Sequence, residues 1–258
     1  MNVISCINQK GGVGKSSSSC SITCGIAREL LDKNVILIDL DSQCNTTQAL
    51  NIDFDNVNYT IHDVLIKGVN IKDALYQLTD NLFIVVGSPN MAHCDMELTD
   101  VGKEYRLKEC LKELEGFADY VVLDNPPALN TVTINSLTAT DYLIIPCQAD
   151  VFSLDAMAKL NDTINTIRTY TNPALKILGV LLTRYNKRSV LTRQIRDVIS
   201  ETAINMGTKL FDTEIREAIA LKESQAVKQD IFTYNSRCGV AKDYMQIVKE
   251  IINEIEKR

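Results

Sequence analysis

The stretch NQKGGVGKSSSS, residues 8–19, decides the fold because of what stands on either side of it. An apolar run typical of a buried strand, Val3–Ile7, precedes it, and a helical pattern, Lys15–Leu31, begins inside it. A glycine-rich turn between a strand and a helix lets backbone N–H groups approach an anion, and the start of the helix adds the positive end of its dipole. The spacing therefore predicts a phosphate-binding loop.

The residues of this loop differ in their expected chemistry. Lys15 is expected to reach the β- and γ-phosphates of a nucleotide, and the Ser16 hydroxyl to ligate Mg²⁺. Lys10 adds a second cation at the mouth of the site, where it would stabilise charge on a transferring phosphoryl group. Both lysines are predicted catalytic residues. The predicted nucleotide-binding residues of the loop are Lys10, Gly11, Gly12, Val13, Gly14, Lys15, Ser16 and Ser17.

Outside the loop, apolar runs alternate with helical patterns. The predicted strands are Val3–Ile7, Val35–Asp39, Leu82–Val86, Tyr120–Asp124, Tyr142–Pro146 and Ile177–Thr183. The predicted helices are Lys15–Leu31, Tyr105–Leu114, Leu154–Tyr170, Leu191–Asn205 and Ala241–Glu256. This order predicts an α/β fold with a doubly wound, mostly parallel sheet and helices on both faces. We expect residues 1–258 to form one domain, with the polar segment Asn51–Asn81 as an excursion after the second strand.

Carboxylates stand where two predicted strands end. Asp39 closes one strand, Asp41 follows two residues later, and Asp124 closes another. Doubly wound sheets place ligand-contacting residues at these ends, where a carboxylate can orient water or the water shell of a metal. We predict that Asp124 holds Mg²⁺ through water and that Asp41 belongs to the metal shell. A simple capping role in the loop is the alternative for Asp41.

The net charge argues at first against nucleic acid. The chain has 27 basic and 33 acidic residues, a formal net charge of −6, whereas binding to phosphates needs a basic surface. The charge is unevenly distributed: residues 1–175 carry −10, residues 176–242 carry +5 and residues 243–258 carry −1. Residues 176–242, here called the basic segment, therefore keep a nucleic-acid surface possible. Charges scattered over a solvated face are the alternative.

The N-terminal residues and the cysteines indicate the cellular compartment of the protein. The first residues have no basic n-region and too short an apolar run for a secretion signal, and no stretch reaches the roughly 18 apolar residues of a membrane span. We therefore expect a cytoplasmic protein with reduced cysteines. The eight cysteines include no CxxC and no Cys/His cluster in sequence, which favours free, mostly buried thiols over a zinc or iron–sulfur site.

Blocks spread over nearly the whole chain resemble one family. KGGVGKS (10–16) is the deviant form of the phosphate loop. VILIDLDSQCNTT (35–47) is similar to VLLIDLDPQGNAT, with Ser42 and Cys44 in place of Pro and Gly, and YVVLDNPPAL (120–129) is similar to YIIIDCPPSL. Blocks at 144–157, 179–195 and near the C-terminus follow in the same order as in the family and extend the resemblance along the chain. In these motifs the chain resembles the ParA/MinD family of P-loop ATPases, and above all its small, Soj-type ParA proteins.

This resemblance implies an enzyme. Its cofactors would be ATP and Mg²⁺, and its reaction the slow conversion of ATP and water to ADP and phosphate. The resemblance makes Asp39 the residue that positions the attacking water, and it implies that Lys10 reaches the nucleotide of the facing subunit. No Ser-His-Asp or Cys-His arrangement can be argued from the sequence, so hydrolysis would depend on positioning and electrostatics.

The resemblance also implies partners. It predicts an ATP-dependent homodimer that binds DNA without sequence preference, a nucleoid-associated location, and a ParB-like adaptor that stimulates hydrolysis and release. The predicted DNA-binding residues are Arg184, Lys187, Arg188, Lys209 and Arg216. The family's IPRN reads IREA at 215–218, so Glu217 stands at the position of the family's arginine and Arg216 lies one place earlier. Backbone atoms around Arg216 would hold the adenine.

Three other functions are weighed against DNA partition. A MinD-like, membrane-associated positioning ATPase would need a basic amphipathic tail, but the polar side of Ala241–Glu256 has mixed charge, so no stable membrane association is expected. A redox carrier like the nitrogenase iron protein would need glycine-flanked cluster cysteines, and Cys94 and Cys147 have no such context. A nucleotide-gated scaffold that does not hydrolyse ATP stays open.

Overall fold

A computed structural model describes residues 1–257 and shows one seven-stranded sheet. In chain order the strands are β1 (Asn2–Cys6), β2 (Val35–Asp39), β3 (Leu75–Thr79), β4 (Leu82–Val85), β5 (Tyr120–Asp124), β6 (Tyr142–Cys147) and β7 (Lys176–Leu182). Their order across the sheet is β3-β4-β2-β5-β1-β6-β7. All neighbouring pairs are parallel except β3 and β4. The predicted α/β class and doubly wound, mostly parallel sheet are confirmed.

Helices connect the strands and cover both faces of the sheet. They are α1 (Lys15–Glu29), α2 (Asn45–Gln48), α3 (Ile61–Lys67), α4 (Cys94–Glu97), α5 (Arg106–Lys112), α6 (Thr131–Ala139), α7 (Val151–Tyr170), α8 (Val190–Asn205), α9 (Ile219–Ala226), α10 (Ile231–Asn235) and α11 (Gly239–Glu256). Short 3₁₀ turns lie at Phe54–Asn56, Ile71–Ala74, Pro89–His93 and Lys103–Tyr105. The five predicted helices match α1, α5, α7, α8 and α11 to within three residues at each end.

The sequence prediction missed one strand and several helices. β3 lies in the segment Asn51–Asn81 that was predicted as a polar excursion, and it pairs antiparallel with β4 at the sheet edge. Its side chains are only partly buried and its register shifts between Gln77 and Thr79, so the alternation that marks a strand is weak. The helix α6 is rich in Thr, Ser and Asn that are buried on all sides, and so it lacks an amphipathic pattern. The prediction of a single domain stays a prediction, and Arg258 lies outside the described residues.

The two faces of the sheet are covered by different helices. Alternate residues of the central strands point to opposite sides: Ile4 packs on the face that α1 and α11 cover, whereas Val3 packs on the other face. The apolar side of α11, including Ile247 and Ile251, is buried in the first of these clusters. The apolar side of the last helix therefore packs on the core. Within residues 1–257, no helix is long and apolar enough to cross a membrane.

The register of the central strands assembles the site. Parallel pairing places Cys6 of β1 and Asp39 of β2 each opposite Asp124 of β5. The carboxyl ends of these three strands therefore meet at one edge, where the glycine-rich loop leaves β1. This juxtaposition is the one expected for ligand sites in doubly wound sheets.

Candidate nucleotide-binding site

The loop between β1 and α1 adopts a backbone that favours glycine. Gly12 and Gly14 have φ angles of 75° and 81°, in the left-handed region that other residues adopt only with strain. Gly14 is also the residue immediately before α1, so the first free N–H groups of the helix point into the loop. This arrangement is ready to bind an anion at the start of α1.

Three side chains outside the predicted set hold the loop in place. Asn8 donates from Nδ2 to the Pro146 carbonyl at 2.8 Å. Gln148 donates from Nε2 to the Gly12 carbonyl at 3.0 Å, and the Thr183 hydroxyl donates to the Val13 carbonyl at 2.8 Å. The sequence analysis did not single out Gln148 or Thr183, although both lie in blocks that resemble the family. Their contacts tie the loop to the ends of β6 and β7.

Lys15 is held inside the site. Its side chain is 7% exposed, and Nζ donates to the Lys10 carbonyl at 3.0 Å. Burial lowers the pKa of Lys15, whereas the nearby charges of Asp124 and Asp41 act in the opposite direction. The ammonium is therefore directed at the inside of its own loop, close to two carboxylates and at the place where a phosphate would sit.

Lys10 has a different environment, although it lies only five residues away. Its Nζ pairs with Asp150 Oδ2 at 2.5 Å and lies 5.8 Å from the centre of the exposed Phe152 ring. Partial burial raises the pKa of Asp150, but the hydrogen bond and charge of Lys10, together with hydrogen bonds from Ser153, lower it overall. Both side chains of the pair are partly exposed. The second lysine thus stands at the rim of the site, in contact with its own chain.

Asp39 is fully buried behind the loop. Its Oδ2 accepts hydrogen bonds from the Thr47 backbone N–H at 2.9 Å and the Thr47 hydroxyl at 2.7 Å, and its Oδ1 accepts one from the Asp41 N–H at 3.2 Å. Burial and the charge of Asp124 raise the pKa of Asp39 to about 7, although these hydrogen bonds lower it. Asp39 therefore orients the turn that carries Asp41 and Thr47.

Asp124 is surrounded by hydroxyl groups. Ser19 donates to its Oδ1 at 3.1 Å, and Thr46 forms a short hydrogen bond to its Oδ2. Burial raises the pKa of Asp124, while hydrogen bonds from Thr46, Ser16 and Ser19 act against this rise. The carboxylate therefore sits beside the predicted metal ligand Ser16 and near the Lys15 ammonium.

Asp41 lies in a tight turn at the open side of the site. Its Oδ1 accepts from the Gln43 N–H at 3.0 Å, and its backbone carbonyl accepts from the Cys44 N–H at 2.9 Å. Cys44 has a φ angle of 52°, at the position where the family motif has glycine. The turn keeps the left-handed backbone of the glycine motif even though the side chain has changed. The hydrogen bond to Gln43 shows that Asp41 has the capping role considered above, and its other oxygen remains available to a metal shell.

The phosphate loop and the turn that carries Asp41 line a cavity of 820 Å³. Its lining includes Lys15, Ser16, Asp41, Pro127, Lys222 and Lys228. Asp41 faces this space, whereas Asp39 and Asp124 are buried beneath it. Lys222 and Lys228 belong to the basic segment, and the sequence analysis did not connect them with the nucleotide. A local motif could not reveal them, because more than 200 residues separate them from the loop.

A smaller cavity of 140 Å³ continues from the loop. It shares Gly12, Gly14 and Ser17 with the larger one and extends to Arg216 and Leu221. Across it Gln225 donates from Nε2 to the Ser17 hydroxyl at 3.0 Å. The predicted base contact, Arg216, thus lies at the wall of a space adjoining the phosphate loop.

The predicted DNA-binding residues are mostly paired within the chain. Arg184 pairs with Glu217 at 2.9 Å, Lys187 with Glu214 at 3.7 Å, and Lys209 with Glu254 at 2.8 Å. Arg216 makes two hydrogen bonds to Asp243, at 2.7 and 2.8 Å. Arg188 is exposed and forms no ion pair with any residue among 1–257. Four of the five predicted cations are therefore already neutralised by carboxylates.

Comparison with known proteins shows which family the chain resembles. Residues 1–177 match the model of a family described as an AAA domain. The chain is 32% identical over 251 residues to the sporulation initiation inhibitor protein Soj of Bacillus subtilis, covering 96% of this chain and 97% of that protein. It is 30% identical over 262 residues to the chromosome partitioning protein ParA of Caulobacter vibrioides, covering 100% and 96%.

A solved structure extends the likeness to the fold. Cobyrinic acid a,c-diamide synthase from Mycobacterium smegmatis, crystallised with ADP and magnesium, is 27% identical and has a TM-score of 0.79. The match covers 99% of this chain and 96% of that one. With the deviant phosphate loop and the carboxylates at the strand ends, these matches confirm the predicted resemblance: the chain belongs to the Soj/ParA family of P-loop ATPases.

Proposed function

We propose that this protein is a DNA-partition ATPase that hydrolyses ATP to ADP and phosphate. The single observation that carries the proposal is the phosphate loop with a buried lysine, Lys15, beside three strand-end carboxylates. The names of the Soj and ParA relatives support partition as the process. The smaller cavity, with Arg216 at its wall, is the proposed place of the adenine.

The donor set of the site fits Mg²⁺. Ser16, Asp41 and Asp124 offer hard oxygen ligands, which Mg²⁺ prefers, often through water. Both oxygens of Asp124 already accept hydrogen bonds from hydroxyl groups, which suits an indirect contact through water. Burial raises the pKa values of Asp39 and Asp124 even though Lys15 lies nearby, so negative charge remains for a divalent cation to balance. Mg²⁺ would supply positive charge beside the phosphates, and Ser16 and Asp124 would hold it.

Asp39 and Asp41, at the end of β2, have different positioning roles. The prediction that Asp39 orients the attacking water has less geometric support than the same role for Asp41. Asp39 is buried with both oxygens engaged by backbone and Thr47, whereas Asp41 lines the cavity. We therefore assign the contact with water to Asp41 and the orientation of its turn to Asp39. Lys15 contacts the β- and γ-phosphates.

Lys10 links hydrolysis to the proposed homodimer. It lies at the rim beside exposed Phe152, where a second subunit can approach. Its reach to the nucleotide of that subunit requires it to leave Asp150, so pairing of subunits and release of this ion pair occur together. A site that is completed only in the dimer accounts for the slow turnover expected of a single subunit.

DNA binding and the adaptor complete the proposed cycle. Two subunits held by MgATP combine their basic segments, which raises the number of phosphate contacts and the affinity for DNA of any sequence. A ParB-like adaptor then stimulates hydrolysis and release, and the protein is associated with the nucleoid between these events. The docked apolar face of α11 favours this DNA cycle over attachment to lipid through the last helix.

DNA binding in three nucleotide states tests the proposal. Cosedimentation with a DNA of arbitrary sequence at low salt is measured with MgATP, with MgADP and without nucleotide. Binding is expected to be much tighter with MgATP than with MgADP or without nucleotide, and this increase is expected to disappear in Lys15→Ala. Equal DNA binding in all three states would overturn the partition cycle, while release of phosphate from ATP in the same samples reports on the ATPase separately.

A further inference from the structure

A cluster of three metal-binding side chains lies outside the nucleotide site, between α3 and α4. The ligand atoms of His62, Cys94 and Glu97 all lie within 4.8 Å of one another. His62 Nε2 is 2.6 Å from Glu97 Oε2. His62 and Cys94 are more than 30 residues apart in sequence, so their spacing gave no sign of the cluster.

The chemistry of this set differs from that of the magnesium site. It offers one imidazole nitrogen, one sulfur and one carboxylate oxygen, a mixture typical of zinc. Mg²⁺ and Ca²⁺, by contrast, take oxygen ligands. In a tetrahedral zinc site with bonds of about 2.1 Å, ligand atoms stand about 3.4 Å apart. The separations here, 2.6 Å between His62 and Glu97 and no more than 4.8 Å for the other pairs, are comparable with that value, and three protein ligands leave the fourth position for water.

Burial and access also suit a bound ion. Cys94 is fully buried and His62 is 6% exposed, whereas Glu97 is exposed. The thiol and the imidazole are thus removed from bulk water, and Glu97 gives a route for an ion from solvent. Met91, itself buried, places its sulfur 3.6 Å from Cys94 Sγ and adds a polarisable neighbour.

The two elements that carry the ligands are anchored independently of a metal. α3 begins with a capping box in which Thr60 and Asp63 bond each other's backbone N–H groups. On α4, Asp95 Oδ1 accepts a hydrogen bond from the backbone N–H of Thr131, the first residue of α6, at 2.8 Å. The ligands therefore approach from two fixed elements, which is the preorganisation that a metal site requires.

We propose that His62, Cys94 and Glu97 form a binding site for Zn²⁺ or a similar borderline-soft divalent cation. Binding replaces the His62–Glu97 hydrogen bond with bonds from Nε2 and the carboxylate to the ion, and the proton of that hydrogen bond moves to Nδ1 of the imidazole. The Cys94 thiol loses its proton to solvent and its sulfur bonds the ion as a thiolate, so one proton is released for each ion bound at neutral pH. The ion joins α3 to α4 and, through Asp95, to the start of α6.

Cobalt substitution tests the site directly. The full-length, reduced protein is freed of metal with a chelator and titrated with Co²⁺, whose bond to a thiolate gives a charge-transfer absorption in the near ultraviolet. The proposal predicts that this band saturates at one equivalent and that Zn²⁺ abolishes it by competition. Absence of the band in the wild-type protein would overturn the proposal, because Co²⁺ bound at the oxygen ligands of the nucleotide site does not produce it.

Variants assign the band to the three ligands. Cys94→Ser is expected to remove the band, and Glu97→Gln to weaken Co²⁺ binding by about 10-fold or more. Glu97 is exposed, so Glu97→Gln keeps the test decisive if the buried Cys94→Ser fails to fold. Cys110→Ser and His93→Gln, which change a thiol and an imidazole outside the cluster, serve as controls and are expected to bind like wild type. An unchanged band in Cys94→Ser, or unchanged affinity in Glu97→Gln, would contradict the assignment.

Discussion

The phosphate loop and the basic segment both owe their predicted roles to lysine and arginine, but the fold treats these residues differently. In the loop, Lys15 is held by a backbone carbonyl with its charge directed at the cavity. In the basic segment, Arg184, Lys187, Lys209 and Arg216 each meet a carboxylate of the same chain. The carboxylates differ accordingly: burial raises the pKa of Asp39, whereas the hydrogen bond from Arg184 lowers that of Glu217.

The nucleotide site therefore has incompletely balanced negative charge, whereas the surface cations already have carboxylate partners. In the nucleotide site Lys15 offsets the buried carboxylates only in part, because their pKa values remain raised. On the surface, DNA phosphates must compete with the intramolecular carboxylates for the same cations. Exposed ion pairs contribute only about 0–1 kcal/mol each, so such competition is possible at low salt. We therefore predict strong effects of substitution in the nucleotide site and graded effects on the surface.

The largest expected effect comes from Asp41. We expect Asp41→Asn to reduce ATP hydrolysis by about 100-fold or more, because it removes the carboxylate that faces the cavity. Asp39→Asn should reduce hydrolysis less. It should lower stability, because it disturbs the carboxylate oxygen that accepts two hydrogen bonds from Thr47. Hydrolysis at saturating MgATP and thermal melting separate the two effects. The reverse order, with Asp39→Asn the more damaging to hydrolysis, would restore the water-positioning role to Asp39.

Stability is expected to depend on pH through the buried carboxylates. Burial and the charge of Asp124 raise the pKa of Asp39 in the folded chain to about 7, from an ordinary value of 3.8. Between these two values the folded chain holds more protons than the unfolded chain, so the free energy of unfolding falls as pH rises and levels off above 7. From about 1.4 kcal/mol per pH unit, the fall attributable to Asp39 is at most about 4 kcal/mol.

Urea unfolding at pH 5 and pH 8, without nucleotide or Mg²⁺, measures this dependence. The wild-type protein should lose more stability between the two conditions than Asp39→Asn, which has no proton to release. An identical loss in the two proteins would show that the buried carboxylates of the site already have a counter-charge, and the contrast with the surface would fail.

A smaller effect is expected when a carboxylate of the basic segment is removed. Glu214 pairs with Arg196 at 2.6 Å and with Lys187 at 3.7 Å, so Glu214→Gln frees Lys187 and leaves Arg196 only its longer pair with Asp197, at 3.8 Å. The affinity for DNA in MgATP should rise about 5-fold, the equivalent of ~1 kcal/mol. Glu109→Gln makes the same change in net charge but frees only Lys112, outside the basic segment. If both variants bound DNA alike, net charge rather than the release of paired cations would govern affinity.

The smallest effect on DNA affinity is expected from Arg188, which forms no ion pair with any residue among 1–257. Arg188→Ala is expected to weaken DNA binding a few-fold in MgATP and to reduce the slope of log affinity against log salt by about 1, the loss of one phosphate contact. Lys112→Ala, in the acidic part of the chain, is the matched control. DNA affinity is measured by fluorescence anisotropy over a series of salt concentrations. An unchanged slope in Arg188→Ala would place the DNA elsewhere.

The sequence predicted the features that depend on local patterns. The loop 8–19, the central strands and the carboxylates at their ends are encoded by adjacent residues and by apolar periodicity, and the structure brings them together. Partners distant in sequence could not be predicted: the pairing of Lys10 with Asp150, and the places of Lys222 and Lys228 beside the cavity, depend on tertiary packing. The edge strand β3 was missed because half-exposed residues give a weak alternation.

The salt dependence of DNA affinity in two nucleotide states tests the central claim most directly. Affinity for a long duplex is measured over a salt series with MgATP and with MgADP. If MgATP joins two basic segments into one surface, the slope of log affinity against log salt should be about twice as steep with MgATP as with MgADP. Equal slopes in the two states would contradict the account, because they would show that nucleotide does not change the number of DNA contacts.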